Sequence, residues 1–167
     1  MPGNRPEIPL VNRRRRIYHW HMAYEFKAIR RVEFSDTDMA GIMHYSNFFR
    51  FMETAEHAFF RSVGFSIVTG KVEPPVGWPR VRAECDFQAP LYFEDEVEVH
   101  LLVTEKRSKS LSYIFKFTKL NAKPPVVVAR GGLTVVCVRH DGGKMSACTI
   151  PKAVADQIEV APKELLF

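Results

Sequence analysis

The feature that most constrains the fold is one helical pattern followed by four strand-sized runs, with no second long helix between them. The helical pattern spans Asn47 to Val63 and repeats apolar residues at three- and four-residue spacing. The strand-like runs cover residues 79–89, 96–105, 110–120 and 125–138. Parallel strands need long crossover connections, so the short turns between these runs favour antiparallel, meander-like pairing. The chain is therefore predicted to be an α+β protein.

The predicted helix is apolar on one face and charged on the other, which requires a sheet to pack against. Ser46 or Asn47 is the predicted N-cap, and Gly64 is the predicted stop. The apolar positions are Phe48, Phe51, Met52, Ala55, Phe59 and Val63.

Two further elements are predicted outside this helix and the four runs. Apolar residues alternate from Tyr24 to Ala28, and after Ile29 the same phase resumes at Val32, which predicts a first strand with a bulge. Residues 153–160 are predicted to form a short terminal helix.

Length and the distribution of charge indicate how the chain is divided into parts. The 167 residues are 46% hydrophobic, enough for one packed domain. Residues 1–16 carry five arginines and one glutamate, +4 of the net +5, so the rest is nearly neutral. Residues 1–22 are predicted to be a flexible basic arm and residues 23–167 a single domain. A solvated tail is the favoured interpretation of the arm, and binding to nucleic acid, an anionic membrane or ligand phosphates is the alternative.

Neither a membrane span nor a secretory signal is expected. The longest apolar runs are strand-sized, and no apolar segment follows the N-terminal arginines. Cys85, Cys137 and Cys148 lack zinc-site spacing, so reduced thiols in a cytoplasmic protein are predicted. His19 and His21 have no third ligand nearby, so no metal is expected.

The segment before the helix concentrates the groups that can do chemistry. Asp36 and Asp38 follow the first strand, and Gly41 allows the chain to turn toward the helix. The first amides of a helix are unpaired, and its positive end attracts anions. A carboxylate beside such a helix end favours acyl transfer or hydrolysis.

A longer pattern surrounds this segment. Tyr45 lies seven residues after Asp38, and Glu53 lies eight residues further on. With these residues, the chain resembles the hotdog-fold acyl-CoA thioesterases of the 4-hydroxybenzoyl-CoA thioesterase type over roughly residues 24–150. The matching segments are residues 34–48, 51–53, 83–91 and 95–99.

The resemblance implies a hotdog fold, in which a curved antiparallel sheet wraps a long central helix. It implies that two protomers pair sheet to sheet, in a homodimer or a homotetramer, with active sites at the dimer interface. The implied substrate is an acyl-CoA, so that CoA belongs to the substrate and no separate cofactor is expected.

The resemblance also implies the catalytic residues. Asp38 is the nucleophile or general base on the thioester carbonyl, and the backbone N–H of Tyr45 polarises the carbonyl oxygen. Such a donor contributes ~3–4 kcal/mol to transition-state stabilisation. A turn-forming aspartate is the alternative for Asp38. Glu53 is predicted to place water or the acyl group, with an exposed helix flank as the alternative, and Glu56, nearer the apolar face, competes with it as the second acid.

Four residues are predicted to contact substrate. His44 lies in the turn, where a structural imidazole is the favoured interpretation; some relatives carry a histidine at the position of Tyr45 instead. Arg107 and Lys109 are candidate contacts for the CoA phosphates, and Ser110 is a candidate hydrogen-bond donor. A charged, solubilising hairpin tip is the equal alternative for these three residues.

The predicted function is hydrolysis of an acyl-CoA to a free acid and CoA. A noncatalytic acyl-CoA-binding module or regulator, whose Arg13–Arg16 arm touches nucleic acid, is an alternative from another class. A hotdog hydroxyacyl-thioester dehydratase ranks below both, because its usual pattern of histidine and acid is absent. The acyl group, and the choice between CoA and acyl carrier protein, stay open.

Overall fold

The computed structural model describes residues 23–67 and 74–166, so the predicted arm with Arg13–Arg16, His19 and His21 lies outside the described residues. Five strands form one antiparallel sheet in the order β1-β3-β4-β5-β2. The strands are β1 (Glu25–Arg31), β2 (Arg80–Phe87), β3 (Glu96–Lys106), β4 (Ser110–Lys119) and β5 (Val126–Val136).

The long helix α1 (Ser46–Ser62) packs its apolar face against this sheet. The predicted core positions are buried except for Val63, which is only half-buried. Gly64 has a φ of +88°, which agrees with its predicted role in ending the helix. The predicted N-cap is wrong. The N-cap position is held by Tyr45, which has a helical backbone conformation and whose side chain makes no capping hydrogen bond.

Strand β4 shows how the sheet packs against the helix. Its buried residues alternate with half-buried ones, as expected for a strand with one face on the core. Phe117 contacts Phe48 of α1, with ring centroids 5.2 Å apart. Tyr113 contacts Phe59, with centroids 6.3 Å apart. These contacts place the start of α1 over the Phe117 end of the sheet.

The meander prediction is correct only for β3, β4 and β5. Strand β2 pairs with β5, because β1 occupies the free edge of β3. The predicted bulge in the first strand is also wrong. Strand β1 pairs in continuous register and ends at Arg31, and Ile29, which interrupted the alternation, is an exposed residue of this regular strand. A 3₁₀ turn follows at Phe34–Asp36.

The C-terminal part differs in detail from the prediction. The fourth predicted run ends as a strand at Val136, and a separate hairpin follows, formed by β6 (Val138–Asp141) and β7 (Lys144–Ala147). The terminal helix α2 (Lys152–Ala155) is shorter than predicted, because Ile158 already bridges to Ala23 beside β1. Over residues 23–67 and 74–166, the structure contains no helix long and apolar enough to cross a membrane.

Candidate active site

The segment between β1 and α1 folds into a tight turn that presents Asp38. The Gly41 N–H donates to the Asp38 carbonyl at 2.9 Å, and the φ of Gly41 is +76°, a region that side chains disfavour. The Ala40 N–H donates to Oδ1 of the Asp38 carboxylate at 2.8 Å. No described residue donates to Oδ2, so one carboxylate oxygen is held by the turn and the other faces outward.

Asp36 stabilises the same turn through its backbone and its carboxylate. Its carbonyl accepts the His44 N–H at 2.9 Å and the Asn47 amide at 2.8 Å. Its carboxylate accepts the Glu33 N–H at 2.9 Å. Asp36 therefore stabilises the turn with both its carbonyl and its carboxylate. The buried Asn47, which ties the helix start to this turn, had no predicted role beyond capping.

One backbone amide at the start of α1 stays open. The Asn47 N–H donates to the His44 carbonyl at 2.9 Å, and the Phe48 N–H donates to the Tyr45 carbonyl at 3.2 Å. The Ser46 N–H approaches Nδ1 of His44 at 3.4 Å. In the described part of the chain, the Tyr45 N–H donates to no acceptor. The predicted oxyanion donor is thus available at the positive end of a helix of 17 residues.

Asp38 and Tyr45 line one groove of about 550 Å³. Both side chains are exposed in the single chain, which places them at its open side. The remaining walls are apolar and come from the turn before α1, from α1, from β2 and from the segment that follows β2. They are Ile42, Met43, Phe48, Phe87, Ala89, Pro90 and Leu91. The last four lie within residues 83–91, a segment that carried the family resemblance. The alternation there predicted a strand that ends at residue 89, and no wall of a groove was predicted.

His44 lies beside this groove, but its ring is engaged by the protein. Its Nδ1 and the Ser46 hydroxyl are 2.8 Å apart. Its ring packs on that of Tyr45, with centroids 4.4 Å apart. This environment matches the structural imidazole favoured from the sequence, and substrate contact by His44 stays a prediction.

The structure does not bring Glu53 into the groove with Asp38. Glu53 lines a separate cavity of about 210 Å³, together with Asp36 and His57. Its Oε1 lies 3.4 Å from Nη1 of Arg80, and its side chain is 48% exposed. A catalytic role for Glu53 therefore stays a prediction.

Glu56, the competing acid, lies in the core. Its side chain is fully buried, and Nη2 of Arg80 donates to its Oε2 at 2.6 Å. Burial raises the pKa of Glu56 to about 7, because desolvation outweighs the attraction of Arg80. Burial likewise raises the pKa of Tyr113 well above its ordinary value, with the charge of Glu56 as a further cause. The ion pair joins the buried Glu56 carboxylate to Arg80, whose side chain is 28% exposed, and Arg80 had no predicted role.

We expect replacement of Arg80 by methionine to lower the free energy of unfolding by about 3 kcal/mol, the low end of the cost of leaving a buried charge without its partner. The low end applies because Arg80 is partly exposed and Glu56 can take up a proton. Equilibrium urea unfolding measures this loss. The matched control is Arg82→Met on the same strand, where Arg82 pairs with Glu84 and both side chains are more than half exposed. An exposed pair contributes little, so the control should change stability by less than about 1 kcal/mol.

The loss in Arg80→Met should depend on pH in a defined direction. The folded-state pKa of Glu56 is above its unfolded value, so its contribution to stability is largest at low pH and is lost as pH rises through about 7. Without Arg80 the folded-state pKa rises further. The difference from wild type should therefore be larger at about pH 8 than at about pH 5. An equal loss at both values would contradict this account of the pair.

The three residues predicted to bind CoA phosphates lie at the hairpin between β3 and β4. Nε of Arg107 donates to the Glu105 carboxylate at 2.8 Å. Ser110 begins β4, whereas Phe117, which packs under the start of α1, lies seven residues along it, or about 23 Å away. Within one chain, Arg107, Lys109 and Ser110 are therefore remote from Asp38, and phosphate binding by them stays a prediction.

Over the residues that the structure describes, no group of three or more histidine, cysteine or acidic side chains is placed to hold a metal ion. Asp38 and Tyr45 contribute one carboxylate and one open backbone amide to the groove. A five-stranded antiparallel sheet packs on a long helix, and an acid and an open helix-start amide line one groove. This is the arrangement that the resemblance to the hotdog-fold hydrolases implies.

The chain belongs to the thioesterase-like superfamily, whose family model matches residues 32–158. It is 33% identical over 130 residues to an Aquifex aeolicus (strain VF5) protein described provisionally as an esterase, covering 78% of this chain and 94% of the relative. It is 26% identical over 145 residues to the 4-hydroxybenzoyl-CoA thioesterase of Pseudomonas sp. (strain CBS-3), covering 83% and 99%. Among solved structures, a gentisyl-coenzyme A thioesterase is 33% identical, with a TM-score of 0.67 and coverage of 78% and 99%. These similarities establish the hotdog fold and make the protein a thioester hydrolase.

Proposed function

We propose that this protein hydrolyses an acyl-CoA to a free acid and CoA in the groove that contains Asp38 and Tyr45. The observation that carries the proposal is the pairing of an unbound carboxylate oxygen with an open helix-start amide on one apolar groove. The proposed reaction needs no cofactor besides the CoA of the substrate, and we place it in the cytoplasm.

The proposed mechanism begins with the thioester carbonyl oxygen on the Tyr45 N–H. The Asp38 carboxylate either attacks the carbonyl carbon or removes a proton from an attacking water. Negative charge then develops on the carbonyl oxygen, where the preorganised N–H and the positive helix end stabilise it. Collapse of the tetrahedral intermediate breaks the C–S bond and releases the CoA thiolate, which is a good leaving group and needs no strong general acid.

For the acyl part we propose an aromatic group. Phe48 and Phe87 form an edge-to-face pair on the groove wall, with centroids 5.0 Å apart, a surface suited to a third ring. Two of the relatives are named for 4-hydroxybenzoyl-CoA and gentisyl-coenzyme A, which both carry aromatic acyl groups, and this supports the choice.

We also propose that the protein works as a homodimer or homotetramer. Strand β2 is an edge strand, and seven of its eight residues are exposed in the single chain. Tyr45 is 61% and Phe87 is 50% exposed beside the groove, so a second chain has apolar surface to cover there. Light scattering should give two or four times the chain mass of 19.2 kDa; a monomeric mass would contradict the proposal.

A kinetic screen tests the activity directly. The full chain is incubated with hydroxybenzoyl-CoA thioesters, with straight-chain acyl-CoAs and with an enoyl-CoA, and released CoA is trapped with a thiol reagent. We expect release from the aromatic esters at a higher kcat/KM. Saturable binding without release of CoA from any ester would instead support a noncatalytic acyl-CoA-binding module, and loss of enoyl-thioester absorbance would support a dehydratase.

A further inference from the structure

Two cysteines lie opposite each other at the neck of the β6–β7 hairpin. Val138 pairs with Ala147 at the base of this hairpin, and Cys137 and Cys148 are the next residues on either side. The Cys148 N–H donates to the Cys137 carbonyl at 2.8 Å. Their sulfur atoms are 3.6 Å apart, and both thiols are free.

The backbone geometry at this neck suits a disulfide. Residues opposite each other in an antiparallel pair have Cα atoms about 4.5–5.5 Å apart, inside the range of about 4.4–6.8 Å that disulfides allow. The sulfur atoms must approach from 3.6 Å to about 2.05 Å, which rotation of the two side chains can supply. The β6–β7 pairing already holds the two segments together, so bond formation needs no rearrangement of the sheet.

The two thiols differ in access to solvent. Cys148 is half-buried, whereas Cys137 is fully buried. An external reagent therefore reaches Cys148 first. Burial raises the pKa of the Cys137 thiol to about 12, with its hydrogen bond to Cys148 as a further cause. Its thiolate is therefore scarce near neutral pH, and the closing step is the slower one.

We propose that Cys137 and Cys148 form a redox-active pair whose substrate is a small-molecule disulfide, such as oxidised glutathione. The Cys148 thiolate attacks one sulfur of that disulfide, giving a mixed disulfide and one released thiol. The Cys137 thiolate then attacks the Cys148 sulfur, forming the internal disulfide and releasing the second thiol. The protein pair loses two electrons and two protons, and the small disulfide is reduced to two thiols.

The internal disulfide would fix the contact between this neck and the β3–β4 hairpin. The Cys137 N–H donates to the Lys109 carbonyl at 2.8 Å, and the Ile150 N–H donates to the Ser108 carbonyl at 2.8 Å. The segments carrying the two cysteines thus lie on either side of residues 108–109. A covalent link between them prevents the neck from opening. This inference does not depend on the proposed hydrolase function.

The test uses the full chain, first reduced, then freed of reductant and incubated with excess oxidised glutathione. Unreacted thiols are alkylated after unfolding, and the protein is digested with trypsin. The chain has three cysteines, so we expect alkylation of Cys85 alone and a mass lower by two hydrogen atoms before labelling. Lys144 lies between the paired cysteines, so tryptic peptides joined across Cys137 and Cys148 should separate on reduction.

Two variants complete the test. Cys85→Ser should form the same disulfide, because Cys85 lies on β2 and takes no part in the reaction. Cys148→Ser should keep Cys137 alkylatable, since its partner is gone. Three alkylated thiols in the oxidised wild type, a glutathione adduct on Cys148 that does not resolve, or a link that includes Cys85 would each overturn the proposal.

Discussion

Replacement of Asp38 by asparagine is expected to lower kcat for acyl-CoA hydrolysis by about 10³-fold, within the usual range for loss of a catalytic acid or base. Asparagine keeps a side-chain oxygen that can accept the Ala40 N–H, the contact that Asp38 makes at 2.8 Å. The turn should therefore persist while the negative charge is lost. Initial rates of CoA release at saturating substrate measure the effect, and unchanged thermal unfolding shows that the fold is intact.

The matched control for this substitution lies in the same turn. Asp36 uses its carboxylate to accept the Glu33 N–H at 2.9 Å, and an asparagine oxygen can make the same contact. Asp36→Asn should therefore keep kcat within a few-fold of wild type. Equal losses in the two variants would indicate a damaged turn, and a fully active Asp38→Asn would rule out the proposed mechanism.

Replacement of Tyr45 by proline is expected to lower kcat by about 10²–10³-fold, the cost of removing one oxyanion donor. Proline lacks the backbone N–H, and its ring requires a φ of about −65 ± 15°. Tyr45 has a φ of −52°, so proline fits this position without distorting its backbone. The substitution therefore removes the open amide while α1 keeps its start. Steady-state kinetics with an aromatic acyl-CoA measure the loss in kcat.

Tyr45→Ala is the control for this experiment, because it removes the ring and keeps the N–H. Since the ring lines the groove, its loss should raise KM and leave kcat within a few-fold of wild type. Full activity in Tyr45→Pro would show that the carbonyl oxygen binds elsewhere. A loss of kcat in Tyr45→Ala equal to that in Tyr45→Pro would assign the effect to the ring.

The local elements of the site were predictable because each depends on neighbours in the sequence. Gly41 signalled a turn, and a φ of +76° agrees with it. The spacing of apolar residues predicted α1 to within one residue at each end. The same spacing put Glu56 nearer the apolar face than Glu53, which its complete burial bears out.

Other features depended on segments distant in sequence. The partner of Glu56 is Arg80, which arrives on an edge strand from 24 residues away. The pairing of β2 with β5 was not predictable from turn lengths. It depends on β1, which pairs with the edge of β3 that would otherwise be open to β2. The groove walls at residues 87–91 are likewise set by the path of the chain after β2, not by its alternation.

The sequence by itself determined the α+β class, the long amphipathic helix, the turn at Asp38 and the family resemblance. These properties follow from periodicity, from glycine and from short-range motifs, which act within a few residues of the chain. Only the tertiary structure decided that the backbone amide of Tyr45 is open, that Asp38 lines the same groove as Tyr45, and that Glu53 lines a separate cavity. Those outcomes depend on which hydrogen bonds neighbouring turns have already taken and on which strands pack beside the helix.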